Sequence, residues 1–253
     1  MRRHRSFGTA QRARSLGAAL ILVVGLVVNP LLMSSSASAA GGDFSLDFTA
    51  AAPLTYNHLF GGGAYDDRTV GRDKDIVESL EGGDFTCGDI VTYLTQIVVN
   101  PGAIGSQVIE IDYEFTAYST GQQGVALGDI VNVAVNYGAV SGGDGPGGTD
   151  SGIADDGSSV ATLTSETITG PEFNKPSTLK GTVQVTDLDA GEKVIVRVDV
   201  RIDCNGQKPT GNMQAVLAAA RVTSGVPDAI SVGAQTIPFK HVGDIKQPPP
   251  PKP

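Results

Sequence analysis

The chain has 253 residues, with 27 acidic against 18 basic side chains, a formal net charge of −9 at pH 7, two cysteines and no tryptophan. So acidic a surface repels nucleic acid and anionic lipid head groups while keeping the chain dissolved. The lack of tryptophan argues against a platform that stacks on sugars.

The first forty residues read as a secretory leader. Arg2, Arg3, Arg5, Arg12 and Arg14 precede an apolar run over residues 16–33, and S-S-S-A-S-A-A then offers small residues for cleavage near Ala39 or Ala40. The apolar run is long enough for an anchor helix, but Asn29-Pro30 interrupts it and the small-residue exit favours cleavage. The Arg2-Arg3 pair also admits twin-arginine export, although its surroundings fit poorly. Removing five arginines and no acid from 18 basic and 27 acidic residues leaves 13 against 27, a formal charge of −14. The natural small partner of that surface is a cation, and the mature chain is expected to hold no membrane span.

Past the leader, Phe44, Leu46 and Phe48 alternate with Ser45 and Asp47 as a short first strand near an edge, ended by Pro53. Residues 56–83 are rich in glycine and charge and hold one short strand around 76–80. This long loop is a candidate functional surface, on which Tyr56, Phe60 and Tyr65 can face a ligand. Residues 89–99 form a β-branched and aromatic run closed by the turn signal Asn100-Pro101-Gly102. Ile109, Ile111, Tyr113 and Phe115 then alternate with Glu110, Asp112 and Glu114, so four large apolar groups turn inward and three acids turn outward.

Residues 130–137 are another strand, entering a segment over 141–158 whose seven glycines and four aspartates cannot build a core. Strands follow over 160–168 and 179–186, and Asp187-Leu188-Asp189-Ala190-Gly191 turns into K-V-I-V-R-V-D-V-R-I-D-C, residues 193–204. There Val194, Val196, Val198, Val200 and Ile202 share one parity. Lys193, Arg197, Asp199, Arg201 and Asp203 take the other, the pattern of a strand covered on one side. Its basic row makes it a plausible neighbour of the acidic row Glu110, Asp112 and Glu114. Residues 213–222, Q-A-V-L-A-A-A-R at their centre, carry helix formers, yet their shortness and flanking glycines favour a strand. Residues 230–242 supply the last strand or two, with Pro238 near an edge, before a stiff P-P-P-P-K-P tail.

Cys87 and Cys204, an even pair in an exported chain, are expected to form one disulfide closing more than 100 residues. The elements sum to an all-β chain: an immunoglobulin-like or jelly-roll-like antiparallel β-sandwich with one disulfide, a single domain over residues 41–246 between the leader (1–40) and the tail (247–253).

The stretch G-D-I-V-T-Y-L-T-Q-I-V-V-N-P-G, residues 88–102, resembles the opening of repeat modules of bacterial surface proteins with an immunoglobulin-like or prealbumin-like sandwich. A-G-E-K-V-I-V-R-V-D-V, residues 190–200, is similar to the glycine-led strand that comes late in them. The chain departs from that pattern in its cysteine pair, its glycine-aspartate insert and its lack of a tandem copy. The resemblance implies a structural or adhesive module at the cell surface, with no catalytic residue to carry over.

Two loops concentrate carboxylates: Asp66, Asp67, Asp73 and Asp75, and Asp144, Asp150, Asp155 and Asp156. Calcium takes six to eight oxygens from such groups, but neither loop has the spacing of a dedicated calcium loop, so solvated acidic loops compete with a calcium site. Catalytic residues do not stand out. Only His58 and His241 remain as histidines after the leader, and no Gly-x-Ser-x-Gly elbow frames a serine. The sequence thus predicts a non-enzymatic, secreted or cell-surface bacterial structural or adhesive protein with no cofactor unless calcium binds. It would act by assembly with itself, as a homo-oligomer or fibre, or by recognising another envelope protein. The alternatives are an extracellular carbohydrate-active or other hydrolytic domain, and a calcium-stabilised binding module.

Overall fold

A computed structural model of the chain describes residues 41–53, 76–103, 105–118, 125–135, 144–145, 148–149, 158–169, 177–204, 213–233 and 235–247. The strands are β1 (Phe44–Ala51), β2 (Ile76–Val77), β3 (Leu80–Glu81), β4 (Ile90–Val99), β5 (Gln107–Tyr118), β6 (Val125–Val135), β7 (Asp144–Gly145), β8 (Gly148–Thr149), β9 (Val160–Thr169), β10 (Ser177–Leu188), β11 (Lys193–Cys204), β12 (Met213–Val222), β13 (Asp228–Ile230) and β14 (Gln235–Lys240). Residues 213–222 are therefore a strand, as expected. Pairing with β5 and β14 on its two sides outweighs the helix propensity of its alanines.

Two sheets form the antiparallel sandwich that the alternating runs predict. Sheet A runs β2-β1-β4-β11-β6 and sheet B runs β3-β14-β12-β5-β10-β9, with β13 also on β12; β7 and β8 pair separately. Among the pairings of these strands only the two-residue contact of β3 with β14 is parallel, and an isolated parallel bridge joins Thr86 to Lys246. Because β4 lies in sheet A, β5 in B, β6 in A, β9 and β10 in B, β11 in A and β12 in B, the chain crosses between sheets repeatedly.

The core lies between the sheets. Ile109, Ile111, Tyr113 and Phe115 on β5 are fully buried, and across the gap the Phe48 and Tyr113 rings pack with centroids 5.7 Å apart and the Tyr93 and Phe115 rings 5.3 Å apart. The Tyr113 hydroxyl meets Thr95 Oγ1 at 2.8 Å, tying sheet B to sheet A, whereas the equally buried Tyr93 hydroxyl has no partner among the described residues.

The turns follow their sequence signals. Gly102 N–H donates to Asn100 Oδ1 at 2.9 Å. At the turn into β11, Asp187 and Gly191 adopt φ of 59° and 83°, and Asp189 N–H donates to the Glu192 carboxylate.

The disulfide joins Cys87 to Cys204 as expected, with Cα atoms 5.7 Å apart. The β4–β11 register that pairs Ile90 with Arg201, extended three residues, sets the two cysteines opposite one another. It therefore pins two neighbouring strands of one sheet. Cys87 N–H also donates to the Lys246 carbonyl and Lys246 N–H to the Phe85 carbonyl, so the end of the described chain is held at the same place.

Two expectations are corrected. The outward row of β11 is not a wet face, because Arg197 and Asp199 are buried and only Arg201 and Asp203 of that row are exposed. On the same face β4 directs Thr92, Leu94 and Gln96, all buried, beside Ile195, so this side is sealed over the middle of the sheet. The acidic row of β5 does not neighbour β11 either. Its partners come from its own sheet, where Arg221 on β12 bridges Glu110 and Asp112 and Lys180 on β10 meets Glu114.

Candidate functional site

Sheets A and B end on one side of the sandwich at β6 and β9. Among the described residues each of these strands pairs on one edge only, β6 with β11 and β9 with β10. Both also break register. Gly128 and Val131 are extra residues on β6, and Thr164 is the extra residue on β9. Such bulges bend and twist an edge strand and re-aim its side chains.

The consequence is an open seam. Val131 is 41% exposed, Val160 52% and Ile168 40%. Between the strands lies a cleft of about 330 Å³, lined by Ile130, Val131, Asn132, Val133, Ala161, Thr162 and Leu163. The β9–β10 register assigns its inward row: Ala161, Leu163, Glu166 and Ile168 lie opposite Val185, Val183, Gly181 and Leu179, the buried row of β10. Gly181 lies against this place, and a Cβ there would lie 2.3 Å from Ile130 Cδ1, so the Ile130 side chain would have to turn. Glu166 Oε1 accepts the Ile130 N–H at 2.9 Å, so a side chain of one sheet satisfies the bulged edge of the other.

A second polar constellation sits on the sealed face of sheet A. Asp199 accepts from Arg197 Nε at 2.8 Å, pairs with Arg197 NH2 at 2.7 Å, and takes the Thr92 hydroxyl at 2.6 Å and the Asn132 amide at 3.0 Å. With its side chain 4% exposed and four donors around two oxygens, it has no room to exchange a proton with a substrate. The arrangement is structural.

The aspartates singled out for calcium, Asp66, Asp67, Asp73, Asp75, Asp150, Asp155 and Asp156, lie outside the described residues, as do Tyr56, Phe60 and Tyr65. Of Asp144 only the backbone, in β7, is described. Among the described residues no three His, Cys, Asp or Glu side chains converge in a way that could hold a metal ion. No described helix is long and apolar enough to cross a membrane. Sequence reasoning missed the seam. Its signal was there in the weakly alternating V-A-T-L-T-S-E-T-I-T of β9, with a single charge, and the out-of-step Val131.

No protein-family model matches the chain, and no curated protein matches it in sequence. Among solved structures it is similar to a cohesin module from a family 33 glycoside hydrolase of Clostridium perfringens, at 10% identity and TM-score 0.34 over 68% of this chain and 93% of that one. It is also similar to the pilus backbone RrgB of Streptococcus pneumoniae, at 11% identity and TM-score 0.28 over 71% and 31%. A family 123 glycoside hydrolase of Clostridium perfringens matches at 10% identity and TM-score 0.27 over 78% and 26%. The chain spans under a third of each of the last two, and TM-scores this low carry no argument about what it does.

Proposed function

We propose that this is an exported, cell-surface structural or adhesive module, a single domain over residues 41–246 behind a cleaved leader, which works by surface recognition or assembly through the β6–β9 seam. The observation that carries the reading is the seam itself. Among the described residues two adjacent strand edges are unpaired, and the gap between them is partly apolar and leaves Val131 and Ile168 exposed. An unpaired edge beside an apolar cleft supplies what strand addition uses: main-chain hydrogen bonds for affinity and alternate side-chain pockets for specificity.

The test compares the mature protein with a Val131→Asp/Ile168→Asp variant whose fold is checked by circular dichroism. Sedimentation and electron microscopy read assembly, and retention of labelled protein on bacterial cells reads adhesion. The reading expects the native protein to assemble or to be retained and the variant to lose that property. A native protein that stays monomeric and does not bind cells refutes the reading, as does a variant that assembles or is retained as well as the native protein.

A further inference from the structure

Resting on that reading, we propose that the strand the seam accepts comes from another protein and is basic and apolar: a lysine or arginine flanked at alternate positions by β-branched side chains. Glu166 is the only charged residue on β9 and is exposed. By register it belongs to the inward row, between Leu163 of the cleft lining and Ile168, so a strand laid along the β9 edge from the cleft onward brings a side chain to it. One of its oxygens accepts a single main-chain N–H. A carboxylate has capacity for further donors, and a cation that reaches it past apolar neighbours gains attraction in a partly dried site.

On the other rim, Asp129 of β6 is already held by Arg201 of the same sheet. Glu166 is therefore the charge that discriminates. A second copy of this chain fits worse on two counts. It brings a like net charge of −9 before leader removal, and its own β9 would offer another glutamate rather than a cation.

Three labelled nine-residue probes test the proposal, each alternating Val and Thr around a central Lys, Gln or Glu. Binding to the full mature protein is read by fluorescence anisotropy, and amide exchange reads protection along β9. The Lys probe is expected to bind at least ten-fold tighter than the Glu probe, with the gap shrinking in Glu166→Gln, which keeps an acceptor for the Ile130 N–H, and in 0.5 M salt. Equal affinities with protection of β9 overturn the charge preference and leave the seam as a strand acceptor. A concentration-dependent dimer that protects β9 without any probe overturns the assignment of the occupant. If no probe protects β9, the seam reading itself falls.

Discussion

Replacing Asp199 by alanine should cost more than any surface substitution in this protein. The carboxylate lies on a face where both partners are nearly inaccessible, with side-chain exposures of 6% for Arg197 and 4% for Asp199. Its removal takes away a bidentate partner from a buried guanidinium and one acceptor each from Thr92 and Asn132. Breaking a buried pair from one side costs about 3 to 5 kcal/mol, because the remaining charge keeps its desolvation penalty without its counter-charge. For a domain of this size that is a fall in Tm of roughly 6 to 20 °C. Urea unfolding followed by far-ultraviolet circular dichroism measures it, with Cm falling at unchanged slope. The double variant Arg197→Met/Asp199→Leu separates ionic from steric loss. It should recover most of the stability, since an apolar pair of similar volume removes both desolvation costs. A single variant within about 1 kcal/mol of the native protein, or a double variant no better than the single, would refute the burial argument.

Opening the Cys87–Cys204 bridge, by Cys87→Ala/Cys204→Ala, releases a loop of 117 residues. The chain-entropy relation then expects a loss of about 5 kcal/mol, measurable by urea unfolding of the variant against the oxidised protein. Tyr93→Phe removes a buried hydroxyl that has no partner among the described residues, so it should leave stability unchanged or raise it by about 1 kcal/mol. Tyr113→Phe, which strips Thr95 of its bond, should lower it by about 1 kcal/mol. Burial pushes the ionisation of both tyrosines well above the ordinary value of 10.0. The unfolded chain therefore loses protons that the folded one keeps, and stability falls as pH rises past about 10, by up to about 2.7 kcal/mol per unit for two such groups. Tyrosinate absorbance at 295 nm should show two of the phenols titrating only as the protein unfolds, and the Tyr93→Phe variant should show one.

The strands were legible because alternation and turn chemistry are local. Ile109 to Phe115 carries its inward parity in its own spelling, and Asn100-Pro101-Gly102 spells its turn; both appear in the structure as read. The cysteine pair was legible for a different reason, namely that two cysteines in a chain have one way to pair with each other. What local reading could not supply is which strand lies beside which. The acids of β5 were matched to the wrong basic row. Opposite charges on two strands are a necessary sign of neighbourhood and not a sufficient one, and Arg221 and Lys180 meet the same condition from within sheet B.

The same gap explains why β11 and β9 exchange the roles their residues suggest. Charges at Arg197 and Asp199 spell a solvated face, yet both are buried there beside Leu94 of β4 and Ile195 of β11 itself. The out-of-step Ile195 and the unbroken run I-V-T-Y-L-T-Q-I-V-V are the marks of strands covered on both sides. Conversely, Ile168 and Val131 spell a core and stand 40% and 41% exposed, because sheet A ends at β6 while β9 continues sheet B past it. Burying a charge pair costs desolvation, and leaving an apolar edge open invites unwanted pairing. On the proposed reading these two costs fall at different places: the charges of Arg197 and Asp199 are buried away from the seam, and the exposed Val131 and Ile168 lie where a strand would be added.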